Sequence, residues 1–231
     1  METFWDRRTV VSMIDHAVLK PDATDGEVRD QCMLAVKYSV ASVCVKPCHV
    51  ALAHEILKGS NVKVSTVIGF PHGSTTTQCK IHEAVEAIEN GAVELDMVMN
   101  IGKLLSKDYD YVKKEIETIV TAAHEKGVEV KVIIETALLT DEQKAVASKL
   151  SKEAGADYLK TSTGFNGRGA TLEDIRIMRE AAGPDMKLKA SGGIKTFDQA
   201  VEFIKAGCVR LGTSSTVAVA EEGTEESIKG V

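Results

Sequence analysis

The sequence is poor in aromatic residues, which fill 4% of its 231 positions, and it has a single tryptophan, Trp5. Prolines number only four, Pro21, Pro47, Pro71 and Pro184. No apolar run approaches the ~20 residues of a membrane-spanning helix, so no membrane partner is expected. Basic residues are not in excess: 28 Lys+Arg stand against 34 Asp+Glu, a formal net charge of -6. That balance argues against a nucleic-acid binder that works by neutralising phosphates. Any anionic ligand must then be held by a local site. Cysteines are few and odd in number (Cys32, Cys44, Cys48, Cys79, Cys208). Disulfide frameworks favour small, cysteine-dense secreted chains, so free thiols in a reducing compartment are expected. The six histidines (His16, His49, His54, His72, His82, His124) match no zinc spacing, and no metal site is expected. Neither end carries a secretion or lipidation signal, and the expected location is cytoplasmic.

What remains is an ordinary globular composition, 44% hydrophobic and 27% charged. One pattern recurs: an amphipathic segment, then glycine, then a short apolar run. Glycines 91, 127, 155, 183 and 207 each stand between such a segment and an apolar run, as in Ala87-Ile88-Glu89-Asn90-Gly91 before Val93-Glu94-Leu95-Asp96-Met97-Val98. The spacing predicts helices closed by left-handed glycine caps and followed by buried strands. Thr24, Thr140, Thr171 and Thr196 each precede acidic or amide residues, as helix N-caps do. Fainter units are Ala41–Val45 and Val62–Ile68, and Ser12–Asp15 is a candidate first strand. Strands alternating with helices imply βαβ units and a parallel sheet. Eight such units predict an α/β fold, a single (β/α)8 TIM barrel over 1-231 with a short N-terminal helix; such barrels typically take ~250 residues. A doubly wound open sheet is the alternative. The segment Asp108–Lys126 reads as a solvated exterior helix, and Phe4 and Trp5 as a cover for the barrel bottom or an oligomer contact.

Strands covered on both faces should be apolar throughout. Asp96, Lys131, Lys160 and Lys189 break that rule in strands four to seven. They are either solvated strand ends or lumen-facing charges, since barrel side chains alternate inward and outward. Two lysines converging in a partly buried lumen suit Schiff-base chemistry. An amine attacks a carbonyl only when neutral, and both desolvation and a nearby cation favour the neutral form. Asp96 could then move protons. Gly-rich, hydroxyl-rich loops follow the late strands: Thr161–Gly169, Ser191–Lys195 and Gly212–Ser215. They are either tight turns or a phosphate cradle, and barrels often place a phosphate site after strands seven and eight. Cys44, on the second strand, reads as core or lumen packing.

Five blocks in order along the chain resemble the deoxyribose-phosphate aldolase family: Ile14–Pro21, Val67–Gly73, Glu94–Asn100, Leu159–Phe165 and Lys189–Ile194. The resemblance implies a metal-independent class I aldolase without cofactor. Such an enzyme reversibly cleaves 2-deoxy-D-ribose 5-phosphate to glyceraldehyde 3-phosphate and acetaldehyde, in deoxyribonucleotide breakdown. It implies that Lys160 is the Schiff-base lysine, that Lys189 perturbs it and that Asp96 is the acid–base residue. Asp15, near the end of strand one, would belong to the relay or the substrate-hydroxyl network, and Lys131 would stand near the site. Thr161, Gly164, Gly192, Gly193, Ser214 and Ser215 would hold substrate, mainly its phosphate. A homodimer or homotetramer is the implied assembly. Ala17 stands where many members carry threonine, and the last tyrosine is Tyr158, whereas some members end in a tyrosine. Another phosphosugar barrel enzyme and a non-catalytic phosphosugar binder are the competing readings.

Overall fold

A computed structural model of the chain describes residues 5–222, so Phe4 and the tail to Val231 lie outside the described residues. Eight strands, β1 (Ile14–Val18), β2 (Ser42–Val45), β3 (Lys63–Ile68), β4 (Glu94–Val98), β5 (Glu129–Ile133), β6 (Tyr158–Lys160), β7 (Lys187–Ser191) and β8 (Cys208–Thr213), form a closed barrel in chain order. Closure is made by β8 pairing parallel to β1, with Ile14 beside Leu211 and Asp15 beside Gly212. This closure excludes the open doubly wound sheet. Parallel neighbours need long crossovers. Here helices supply them: α2 (Asp25–Tyr38), α3 (Val50–Leu57), α4 (Thr77–Glu89), α5 (Ile101–Leu105) with α6 (Tyr109–His124), α7 (Asp141–Glu153), α8 (Leu172–Ala182) and α9 (Phe197–Lys205), while α1 (Arg7–Ser12) precedes β1 and α10 (Thr216–Glu222) follows β8.

Local chemistry sets the boundaries. Thr24, Thr140, Thr171 and Thr196 all form capping boxes, with Glu27, Gln143, Asp174 and Gln199 in the reciprocal position. At the other ends, Gly91 (φ 105°), Gly127, Gly155, Gly183 and Gly207 take positive φ, a conformation that suits glycine. Gly91 is needed twice over, because a Cβ there would lie 2.4 Å from His54 Cγ on α3.

The first strand differs from expectation. Asp6 caps the start of α1, its carboxylate accepting from Thr9 N at 2.6 Å, and at the other end Met13 N donates to Val10 O at 3.1 Å, so helix runs through Ser12 and β1 starts only at Ile14. Asp15 therefore stands near the start of β1, not its end. Two short helices, α5 and α10, were not anticipated. The exterior helix begins at Tyr109 because Asp108 is its cap. Trp5 is half-buried and packs against the core.

Outward-facing strand residues such as Leu95, Val132, Leu159 and Leu211 form one buried cluster with Ile116, Ile175 and Phe197 of the helices. Full burial of each such side chain contributes roughly 1.5–3 kcal/mol. A fully buried ion pair lies inside this shell. Fully buried Lys80 donates to Val98 O at 2.8 Å and to Glu115 Oε2 at 2.9 Å, and Asn100 N donates to the same carboxylate at 3.0 Å. The pair pins the end of β4 to α4 and α6. Gly69 leaves it room, since a Cβ there would lie 2.6 Å from Lys80 Cε.

Candidate active site

Period-two alternation turns a second set of residues into the lumen. From β4 come Glu94 and Asp96, from β5 Lys131, from β6 Tyr158 and Lys160, from β7 Lys189. Asp15 of β1 and Arg210 of β8 complete the ring of charges. All seven charged side chains are buried. The charges that broke the apolar pattern are thus lumen groups, not solvated strand ends.

Asp96 is the hub. Its Oδ2 accepts from Lys160 Nζ and from Lys189 Nζ, each at 2.7 Å, and its Oδ1 accepts from Lys131 Nζ at 2.9 Å. Lys189 also donates to Asp15 Oδ2. Asp15 Oδ1 accepts from Arg210 Nη1 and from the Ser42 hydroxyl, each at 2.6 Å. Below them Glu94 accepts from Lys131 at 2.5 Å and from Arg210 at 3.0 Å. The Tyr158 hydroxyl accepts from Arg210 Nη2 at 3.3 Å.

Three cations around one carboxylate decide its protonation. Burial pushes Asp96 up, but Lys131, Lys160 and Lys189 outweigh that and hold it well below the carboxylate range. Asp15 is likewise lowered: burial raises it, and Lys189, Lys131 and Arg210 more than reverse the effect. The lysines separate. Burial lowers Lys131, yet Asp96, Asp15 and Glu94 together lift it well above the lysine range. Burial also lowers Lys189, and Asp15 and Asp96 carry it above its ordinary value. Lys160 moves down, because burial and the Lys189 cation outweigh the Asp96 carboxylate. Of the three lumen lysines, Lys160 is the one most easily deprotonated.

A cavity of about 440 Å³ opens at the C-terminal ends of the strands. Its floor carries Lys160, Lys189, Asp15 and Cys44, and its rim carries Gly164, Gly192, Gly193, Ser214 and Ser215. The structure thus brings eight of the eleven expected site residues to one cavity. Asp96 and Lys131 lie buried beneath it and reach it through their ion pairs. Thr161 stands apart: it is fully buried, and its hydroxyl accepts from Ser191 N at 3.1 Å and donates to Ser191 O, joining β6 to β7. Ala17 lines the same cavity and offers it a methyl group. Burial raises the Cys44 thiol above its usual value, with Asp96 acting in the same direction.

Several contributors escaped sequence reading. Lys20 and Lys195 stand exposed at the cavity rim. Buried Glu135 (φ 55°) accepts from Thr163 N at 3.1 Å and from Asn166 Nδ2 at 2.9 Å, and from the Thr163 hydroxyl, so it holds the loop before Gly164. Glu94 and Arg210 could have been found from alternation, because Glu94 is two residues before Asp96 and Arg210 two before Gly212. Glu135 gave no such signal. Glycine at 212 is required by the site itself, since a Cβ there would lie 2.8 Å from Ser191 Cβ and 3.2 Å from Lys189 Cε.

A lysine that gives up its proton in a buried lumen can form an iminium there, and the glycine- and hydroxyl-lined mouth above it can hold an anion. Comparison with known proteins points the same way. The chain is 51% identical over 222 residues to the deoxyribose-phosphate aldolase of Clostridium perfringens (strain SM101 / Type A), covering 96% of this chain and 99% of that one. It is 52% identical over 223 residues to the deoxyribose-phosphate aldolase of Thermococcus kodakarensis, covering 96% and 100%. The tetrameric deoxyribose phosphate aldolase of Aeropyrum pernix has the same fold at a TM-score of 0.87 and 35% identity, over 93% of this chain and 91% of that one. The family model described as DeoC/LacD family aldolase matches residues 9–217. The chain belongs to the DeoC/LacD aldolase family.

Proposed function

We propose that this chain is a class I aldolase that reversibly cleaves 2-deoxy-D-ribose 5-phosphate to D-glyceraldehyde 3-phosphate and acetaldehyde through a Schiff base on Lys160. The observation that carries this reading is the shared Asp96 oxygen: it holds Lys160 at the cavity wall and Lys189 beside it. The substrate follows from the family and its relatives.

In the cleavage direction, neutral Lys160 Nζ attacks the C1 aldehyde of the open-chain sugar. Loss of water gives an iminium. Asp96, ionised, accepts and passes protons, and Lys189, protonated, donates them through water. A base takes the C3 hydroxyl proton and the C2–C3 bond breaks. Its electron pair flows into the iminium, leaving an enamine on Lys160 while C3 departs as the aldehyde of glyceraldehyde 3-phosphate. Protonation of the enamine at C2 and hydrolysis release acetaldehyde and the free amine. The iminium supplies the electron sink, so the reading needs no cofactor. Gly164, Gly192, Gly193, Ser214 and Ser215 offer backbone N–H groups and hydroxyls at the mouth, the arrangement that suits a phosphate. In this reading Lys131 and Asp15 act by holding Asp96 and Lys189, and Thr161 acts only by shaping the mouth.

The whole chain, 1-231, is read as one catalytic domain, working in the cytoplasm within deoxyribonucleotide breakdown. A homodimer or homotetramer is the assembly proposed, supported by the tetramer of the Aeropyrum relative. The test is product formation: with deoxyribose 5-phosphate, an alcohol dehydrogenase and NADH, the wild-type chain consumes NADH and Lys160→Arg does not. A chain without this activity, or a Lys160→Arg variant that keeps it, overturns the reading.

A further inference from the structure

We propose that Glu94 and Arg210, at the barrel floor and out of substrate's reach, are positioning residues that set the charge balance of the lumen and so select Lys160 as its neutral amine. The proposal rests on Lys160 being the nucleophile.

The charges facing Lys160 come from every side. They are Asp96 and Glu94 on β4, Lys131 on β5, Lys189 on β7, Arg210 on β8 and Asp15 on β1, with the Cys44 thiol on β2. With the groups in their usual forms, four cations (Lys131, Lys160, Lys189, Arg210) meet three carboxylates (Asp15, Glu94, Asp96). One excess positive charge in a desolvated space is costly, and loss of one proton removes it.

Contacts decide which proton leaves. Among the described residues, Lys131 has Asp15, Glu94 and Asp96 within 4 Å, Lys189 has Asp15 and Asp96, and Lys160 has Asp96 alone. Arg210, paired with Asp15 and Glu94, does not give up its proton. Glu94 therefore holds Lys131 and Arg210, Arg210 holds Asp15 against Lys189, and Lys160 is left as the labile cation. Glu94 lies outside the cavity wall. It takes Lys131, Arg210 and half-exposed Lys63, the last at 2.8 Å. It is two residues before Asp96, about 7 Å along the strand. A charge at such a range still moves a buried amine by about one pH unit.

The test is a pair of neutralising variants with opposite signs, read on the acid limb of the kcat/KM profile and on the pH dependence of borohydride trapping of acetaldehyde on Lys160. Glu94→Gln removes a negative charge, so Lys160 loses its proton more readily and both readouts shift about one unit to lower pH. Arg210→Gln removes a positive charge and shifts both to higher pH. Simple damage to packing lowers amplitudes without displacing the limbs in opposite directions. Lys63→Gln, at a half-exposed site, moves the limb slightly to higher pH and decides the matter should the buried variants not fold. Limbs that stay in place, or move the same way in Glu94→Gln and Arg210→Gln, overturn the proposal. If wild-type Lys160 forms no adduct, it is the functional reading that fails.

Discussion

Replacing Lys189 by methionine, which fills similar volume without charge, moves the acid limb of the kcat/KM profile to higher pH. Lys160 and Lys189 each lie 2.7 Å from the same Asp96 oxygen, so their nitrogens are at most about 5.4 Å apart. At about 5 Å and an effective dielectric of ~20, two unit charges repel by about 3 kcal/mol, which corresponds to about two pH units. The direction is fixed. Lys189 favours the neutral form of Lys160, and removing it also frees Asp15 and Asp96 to draw the Lys160 proton more tightly. Both effects raise the Lys160 value. Activity needs the neutral amine, so the limb rises by one to two units, an order-of-magnitude figure from the same charges. The assay is kcat/KM for deoxyribose 5-phosphate cleavage across pH, with borohydride trapping to show that the variant still forms the adduct. A variant that traps normally and keeps the wild-type limb refutes the reasoning.

Other expectations follow from packing. Gly212→Ala drives a methyl against Ser191 and Lys189. It should destabilise by roughly 1–3 kcal/mol and lower kcat more than a surface Gly→Ala control; wild-type Tm and kcat would contradict this. Lys80→Met leaves the Glu115 carboxylate buried without its cation. It should cost about 3–5 kcal/mol in urea unfolding, with much of that recovered in Lys80→Met/Glu115→Gln; no recovery in the double variant would refute the pairing argument. Glu135→Ala frees the backbone before Gly164 and should raise KM for the phosphorylated substrate well above its effect on a non-phosphorylated aldehyde. Equal effects on both would sever the loop from phosphate binding.

The barrel was legible because its signals are local. Threonine caps and glycine stops each act within one turn of helix, and they marked four capping boxes and five left-handed glycines. Lys160, Lys189 and Asp96 were legible because a charge inside an apolar strand demands a partner. What escaped depends on contacts between distant segments. Glu135 meets Thr163 and Asn166 some 30 residues away, and no periodicity marks such a pairing. Thr161 sits inside a substrate-like motif, yet its hydroxyl is occupied by the neighbouring strand. β1 starts at Ile14, two residues after Ser12, because the last turn of α1 continues through Ser12 and is closed by Met13 N donating to Val10 O.

The central claim is that Lys160 carries the covalent intermediate. Incubation with acetaldehyde and borohydride, followed by peptide mass analysis, tests it most directly. A reduced ethyl adduct is expected on Lys160 and none on Lys131 or Lys189. An adduct on either of those lysines, or no adduct in a chain that still cleaves deoxyribose 5-phosphate, would contradict it.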